Sequence, residues 1–246
     1  MKPTLFFDFD GTLSDPVLLF EHYVSALTEE FKEAHGGSGE AWYSLTRKML
    51  WELTQDFADY FSANPFADYH PYMNSLYARS AQVVCEHIGS TLPSDPVGFA
   101  RAMQAVALRK CNAFYDGAAE ALALLHQQGY PIVMASGQES GFLQAALEGA
   151  GVVHIPQGWF GPDLINCAKE STRYFERIFE ALQISPASAV VIDDLAPAVL
   201  WAEELGAKAV QAQLANSQPR ETSNPNRPVL TCWHDFPLQL ERLLEK

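Results

Sequence analysis

Basic residues are scarce in this chain: 16 lysines and arginines stand against 30 aspartates and glutamates, a formal net charge of −14. That balance argues against nucleic acid as a partner, because binding it relies on a basic face that displaces counterions. It argues equally against an anionic membrane surface. A small anionic substrate stays compatible, since one lysine or a metal ion can set the local field. Cysteine is also sparse. Cys85, Cys111, Cys167 and Cys232 lie far apart with no C-x-x-C pair, which speaks against a disulfide framework or a zinc site and for reduced core residues of a cytosolic protein. The seven histidines include no H-E-x-x-H, so structural or surface roles are expected for them. Long apolar runs are missing too. The N-terminal MKPTLFFDFDG is too short for a signal peptide, and no stretch approaches the ~20 apolar residues of a membrane span. A cytoplasmic protein with no membrane partner is the expectation.

What is present is an ordinary globular composition, 48% hydrophobic and 19% charged over 246 residues, enough for one large domain or two small ones. Residues 4–9 read as a short strand, apolar on both faces. Ser14, Asp15 and Pro16 open a helix, with a capping side chain followed by proline. HGGSG (35–39) breaks it, and Trp42, Leu45, Met49, Leu53 and Phe57 set the phase of a second helix over 41–61. Further helices are predicted over 72–88 and 96–112. Beyond Tyr115 the texture changes. Helices over 116–128, up to about 149, 170–183, 197–206 and 236–245 alternate with strands over 130–136, 188–194 and 207–212. The tetrapeptide FADY occurs twice, at 57–60 and 66–69, without forming a true repeat. Alternating strands and helices specify an α/β fold with a doubly wound parallel sheet.

In such sheets ligands bind beyond the carboxyl ends of the strands. Three predicted strand ends carry polar groups there: Asp8 and Asp10, then Ser136, then Asp193 and Asp194. Lys169, before a helix, can reach the same edge. Asp8 and Asp10 are two residues apart, so on an extended chain they point to one side. Gly11 lets the backbone turn sharply after them. Paired carboxylates at a strand end repel each other unless a hard dication such as Mg²⁺, which prefers oxygen ligands, lies between them. Plain structural roles compete at each position: Ser136 as a helix cap, Lys169 as a solvated side chain, Asp193 as an N-cap.

Taken together and in this order, DFDGT (8–12), MASG (134–137), Lys169 and VVIDD (190–194) resemble the four motifs of the haloacid dehalogenase superfamily, in its phosphatase branch. DGTLSDP (10–16) resembles the start of phosphoglycolate-phosphatase-like members. The resemblance implies a Rossmann-like core of residues 1–14 and 113–246, with an inserted all-helical cap domain over 15–112. It implies Asp8 as nucleophile, forming an aspartyl phosphate, and Asp10 as general acid and then base. Thr12, Ser136, Gly137 and Lys169 would hold the phosphoryl group. Asp8, the backbone carbonyl of Asp10 and Asp194 would hold Mg²⁺, with Asp193 in the outer shell by family spacing. Many members carry proline after the motif III lysine. Here Glu170 follows Lys169, and an acidic residue suits the first turn of a helix.

The expected activity is hydrolysis of a small-molecule phosphate ester. The second aspartate of motif I favours phosphate chemistry over dehalogenation, whose leaving group needs no proton. A phosphomutase on the same core, or a non-catalytic metabolite-binding protein, are the alternatives. A mutase must hold a second phosphate, for which Arg47, Lys48, Arg79, Arg109 and Lys110 are the candidate bases. Aromatic residues crowd the cap, among them Trp42, Trp51, Phe57, Phe66, Tyr69 and Tyr77. Most are expected to form its core, and any that line the substrate side would suit an apolar leaving group.

Overall fold

A computed structural model describes residues 2–244. Strand β1 (Thr4–Phe7) lies at the centre of a six-stranded sheet, between β2 (Ile132–Ala135) and β4 (Ala189–Asp193). With β3 (Gly158–Phe160), β5 (Lys208–Ala212) and β6 (Val229–Leu230), the order is β3-β2-β1-β4-β5-β6, and every neighbouring pair is parallel. The chain winds outward from β1 to β3, then returns to the other side of β1 and winds outward to β6. This is the doubly wound, Rossmann-like α/β arrangement expected from the sequence. Its switch point lies between β1 and β4, where the polar strand ends meet.

A short strand buried on both faces splits its side chains between two cores. Leu5 and Phe7 join one apolar layer, with residues of α1 (Pro16–His35), α5 (Ala118–Gln127) and α10 (Phe236–Leu244). Phe6 joins the other, against Phe175, Ile178 and Phe179 of α8 (Thr172–Leu182) and the small residues of α9 (Ala196–Glu204). Four helices, α1, α2 (Gly39–Ala63), α3 (Tyr69–Ile88) and α4 (Pro96–Leu108), fill the chain between β1 and α5. They cover the carboxyl edge of the sheet. Tyr23 of α1 packs on Phe142 of α6 (Ser140–Gly149), and Phe61 and Tyr69 of α2 and α3 pack on Ala168. Of the aromatics in this layer, Trp42, Phe61 and Tyr69 are buried, whereas Trp51 and Phe66 are exposed. Cys85, Cys111 and Cys167 are buried free thiols and Cys232 is partly exposed. Among the described residues no helix is long and apolar enough to cross a membrane.

The expected strand over 4–9 ends at Phe7, and the helix over 96–112 ends at Leu108. Strands β3 and β6 and the single turn α7 (Pro162–Ile165) carry too few residues for a periodic signal. Glu245, the last residue of the expected final helix, lies outside the described residues, as do Met1 and Lys246 at the ends of the expected 1–14 and 113–246 segments.

The start of α1 follows the sequence reading. Asp15 accepts hydrogen bonds from the N–H groups of Val17 (2.9 Å) and Leu18 (3.2 Å), and Pro16 takes the first helical position. Asn216 also donates to the Asp15 carboxylate. Asp15→Ala therefore loses a cap and a tie to a distant loop. It is expected to cost about 1–2 kcal/mol, read as a lower urea midpoint at unchanged m-value.

Candidate active site

Past Phe7 the chain leaves the strand and folds into a compact loop. The carbonyl of Phe9 accepts N–H groups from Leu13 and Ser14 at 2.9 Å, and Gly11 N–H donates to Ser14 O at 2.8 Å. Gly11 has φ +76°, and a Cβ there would stand 2.1 Å from Asp194 Oδ2. Glycine at position 11 thus serves the turn, as expected, and also the close approach of a carboxylate from β4. The loop is braced from outside by Trp233, which donates to Thr12 O, and by Ser217 Oγ, which donates to Gly11 O.

Lys169 is buried, not solvated. Its Nζ lies 2.8 Å from Asp8 Oδ1 and 2.5 Å from Asp193 Oδ2. Burial alone would depress this ammonium, but the charges of Asp193 and Asp8 outweigh it and hold its pKa above the ordinary lysine value. Tyr174 lies beneath it and donates to Ser136 O at 2.7 Å, tying the Lys169 region to the end of β2. Asp193 Oδ1 accepts from Leu195 N–H, so Asp193 bridges Lys169 and the start of α9, while Leu195 itself occupies the N-cap. Strand β4 ends at Asp193, so strict alternation stops there and both Asp193 and Asp194 reach Asp8. Asp194 Oδ2 accepts from Gln218 N–H at 2.9 Å.

Asp10 is half-buried under the helical layer, and its Oδ2 accepts from Gln138 Nε2 at 2.6 Å. Burial pushes its pKa up to about 6, the Gln138 hydrogen bond opposes that, and the Asp8 charge adds to it. Gln138 had no signal in the sequence beyond its nearness to Ser136. Ser136 does not cap α6. The N-cap is Glu139, and Ser136 is buried at the end of β2. Gly137 faces open space, since a Cβ there would meet nothing within 4 Å. Thr12 is fully buried, and its hydroxyl has no partner among the described residues. Glu170 stands ahead of the Ser171 N-cap of α8, so it sits outside the first turn that its charge was expected to serve.

Above Asp10 and Gln138 a cavity of about 350 Å³ opens beneath α1, α2 and α3. Glu139 in its wall is held by both nitrogens of a fork from Arg101, at 2.9 and 2.8 Å. The five candidate bases point elsewhere. Arg47 pairs with Glu21, Lys48 with Glu52, Arg79 with Asp56, Arg109 with Glu148 and Lys110 with Glu30, all about half exposed or more on the basic side.

The donor set fits a hard dication. Asp8, Asp193 and Asp194 each offer an oxygen within 4.8 Å of the others. Burial pushes the carboxyls of Asp193 and Asp194 well above the ordinary value, with the Lys169 charge opposing and that of Asp8 adding. One ammonium does not balance this many carboxylates, and all-oxygen ligands are what Mg²⁺ accepts.

A family model for haloacid dehalogenase-like hydrolases matches residues 2–206. The chain belongs to this family. No curated protein matches it significantly. Solved structures similar to this haloacid dehalogenase-like hydrolase include the defluorinating L-2-haloacid dehalogenase Rha0230 (TM-score 0.67, 14% identity, covering 98% of this chain and 95% of that one). A second is a protein assigned as a HAD-hydrolase, YfnB from Bacillus subtilis, bound to magnesium (0.63, 16%, 97% and 98%). A third is a predicted phosphoglycolate phosphatase from Haemophilus somnus 129PT (0.56, 16%, 98% and 98%). At these identities the likeness is one of fold.

The raised carboxyls give a pH dependence. The folded protein binds more protons than the unfolded chain from the ordinary aspartate value of 3.8 up to about 6 for Asp10, and further for Asp193 and Asp194. In that window stability falls as pH rises. Thermal melts of the metal-free protein are expected to show this fall, and the stabilisation by Mg²⁺ to grow as pH rises through the same window, because the ion and protons compete for the same carboxylates. A Mg²⁺ effect that grows toward acid would contradict the assignment.

Proposed function

We propose that this hydrolase is a Mg²⁺-dependent phosphatase acting on a small phosphomonoester through an aspartyl phosphate on Asp8. The observation that carries the reading is Asp10: a carboxyl beside Asp8, held by Gln138, with a pKa near neutrality. An alkoxide leaving group needs a proton and a halide does not, so ester hydrolysis gives this group a task that dehalogenation lacks.

The ion, held by Asp8, Asp194 and the Asp10 carbonyl, would supply Lewis-acid stabilisation of the phosphoryl oxygens. Asp8 attacks phosphorus, the ester P–O bond breaks, and the Asp10 carboxyl gives its proton to the departing alkoxide. Asp10, now a carboxylate, takes a proton from water. The water oxygen attacks phosphorus, the bond to Asp8 breaks, and phosphate leaves. Lys169 orients Asp8 and offsets charge on the transferring group, while Thr12, Ser136 and Gly137 bind its oxygens. Asp193 fixes Lys169 from behind. Residues 1–14 and 113–246 make up the catalytic core in this reading, and 15–112 the cap that excludes water. A mutase is less well supported, because the cap bases pair with carboxylates away from the cavity and none of them lines it.

Phosphate release from a panel of phosphomonoesters is expected with Mg²⁺ and not with EDTA. Asp8→Asn should lower kcat at least ~10³-fold with the fold intact by circular dichroism. Near-normal turnover in that variant would remove Asp8 from the nucleophile role. Gln138→Leu removes a bond that lowers the Asp10 pKa, so the alkaline limb of the kcat/KM profile should move to higher pH.

A further inference from the structure

The cavity above Asp10 has a composition that a phosphate site does not require. Leu19 and Phe20 of α1, Leu50, Leu53 and Phe57 of α2, and Met73 of α3 line its apolar side. Among the described residues that line it there is no lysine or arginine. Its carboxylates are Asp10, at the reacting end, and Glu139, matched by Arg101. The remaining polar groups are neutral: Thr54, Gln104, Gln138, which is bonded to Asp10, and the phenols of Tyr23, Tyr69 and Tyr77. Burial holds those three phenols above their ordinary pKa, so they stay uncharged.

We propose that the alcohol part of the substrate is uncharged and predominantly apolar, about the size of one or two fused rings, and is seated in this cavity with its ester oxygen toward Asp10. The proposal rests on the phosphatase reading above and narrows it. A volume of about 350 Å³ accepts a small drug-sized group. An apolar group there exchanges water for Leu, Phe and Met side chains, which favours it by area. A second phosphate or a carboxylate would lose its hydration and meet no cation, since Arg101 is occupied by Glu139. A polyol would turn hydroxyls toward the Leu, Phe and Met side chains, where they lose water without gaining a partner. The more polar cavity of about 500 Å³ beyond the Arg101–Glu139 pair, with His70 and Asp163 in its wall, is not lined by Asp10 and does not face the reacting atoms.

The test compares 1-naphthyl phosphate, 2-phosphoglycolate and glucose 6-phosphate on the full chain with Mg²⁺. Hydrolysis is measured on the wild type, and binding by calorimetry on Asp8→Asn. The naphthyl ester is expected to exceed both others in kcat/KM by at least ~100-fold, and in affinity by a similar factor. Leu53→Lys should narrow that ratio at least ~10-fold by placing a charge in the apolar wall. A ratio is read because partial unfolding lowers both rates alike and cancels. Phosphoglycolate or glucose 6-phosphate turned over as well as the naphthyl ester would overturn the proposal and leave the phosphatase reading standing. Preferential binding of the naphthyl ester without turnover of any ester would do the reverse. Binding of none of the three, or an unchanged ratio in Leu53→Lys, would remove the cavity as the substrate seat.

Discussion

Everything at the carboxyl edge of this sheet is arranged around one imbalance of charge. Asp8, Asp10, Asp193 and Asp194 crowd a small buried volume, and Lys169 is the ammonium set among them. Burying charges of one sign is costly unless they are paired, hydrogen-bonded or protonated. Each route is in use. Lys169 takes Asp8 and Asp193, Gln138 and the Gln218 N–H take one oxygen each of Asp10 and Asp194, and the raised proton affinities mark the part still uncompensated. A site left in that condition is ready for a cation and for proton exchange near neutrality.

The surrounding structure reads as support for this arrangement. Gly11 has no side chain where Asp194 must pass, Trp233 and Ser217 hold the loop from behind, and Tyr174 joins the Lys169 region to β2. The helical layer meets the core at the same groups. Ala168, next to Lys169, packs on Phe61 and Tyr69, and Arg101 reaches down to Glu139, next to Gln138. Shape and charge in the cavity are therefore tied by direct neighbours to the residues that hold the acids.

Much of the fold and the polar strand ends was legible in the sequence because each rests on local pattern. The apolar run before Asp8, the Asp15–Pro16 helix start and the alternating texture beyond Tyr115 are short-range signals. What was not legible depends on long-range approach. The Gln138 bond to Asp10 spans 128 residues, and the Gln218 bond to Asp194 joins a polar loop to a strand end. The orientation of the cap bases was equally invisible, because a helical lysine or arginine has surface carboxylates within reach whose positions only packing decides. Strand alternation gave no guide at the end of β4: the strand stops at Asp193, so Asp193 and Asp194 both reach Asp8 although they are neighbours in the chain.

The two crossings between the sheet and the helical layer lie side by side. Asp15 N–H donates to Ala113 O at 2.9 Å, and Ser14 bridges to Phe114. The whole stretch between them leaves and re-enters the sheet through a single joint whose ends are already closed by backbone bonds. Lengthening, trimming or exchanging helices there changes a loop whose closure cost grows only slowly with length. Sequence change can then act on one stretch of the chain while the aspartates and lysine, encoded outside it, go on unchanged.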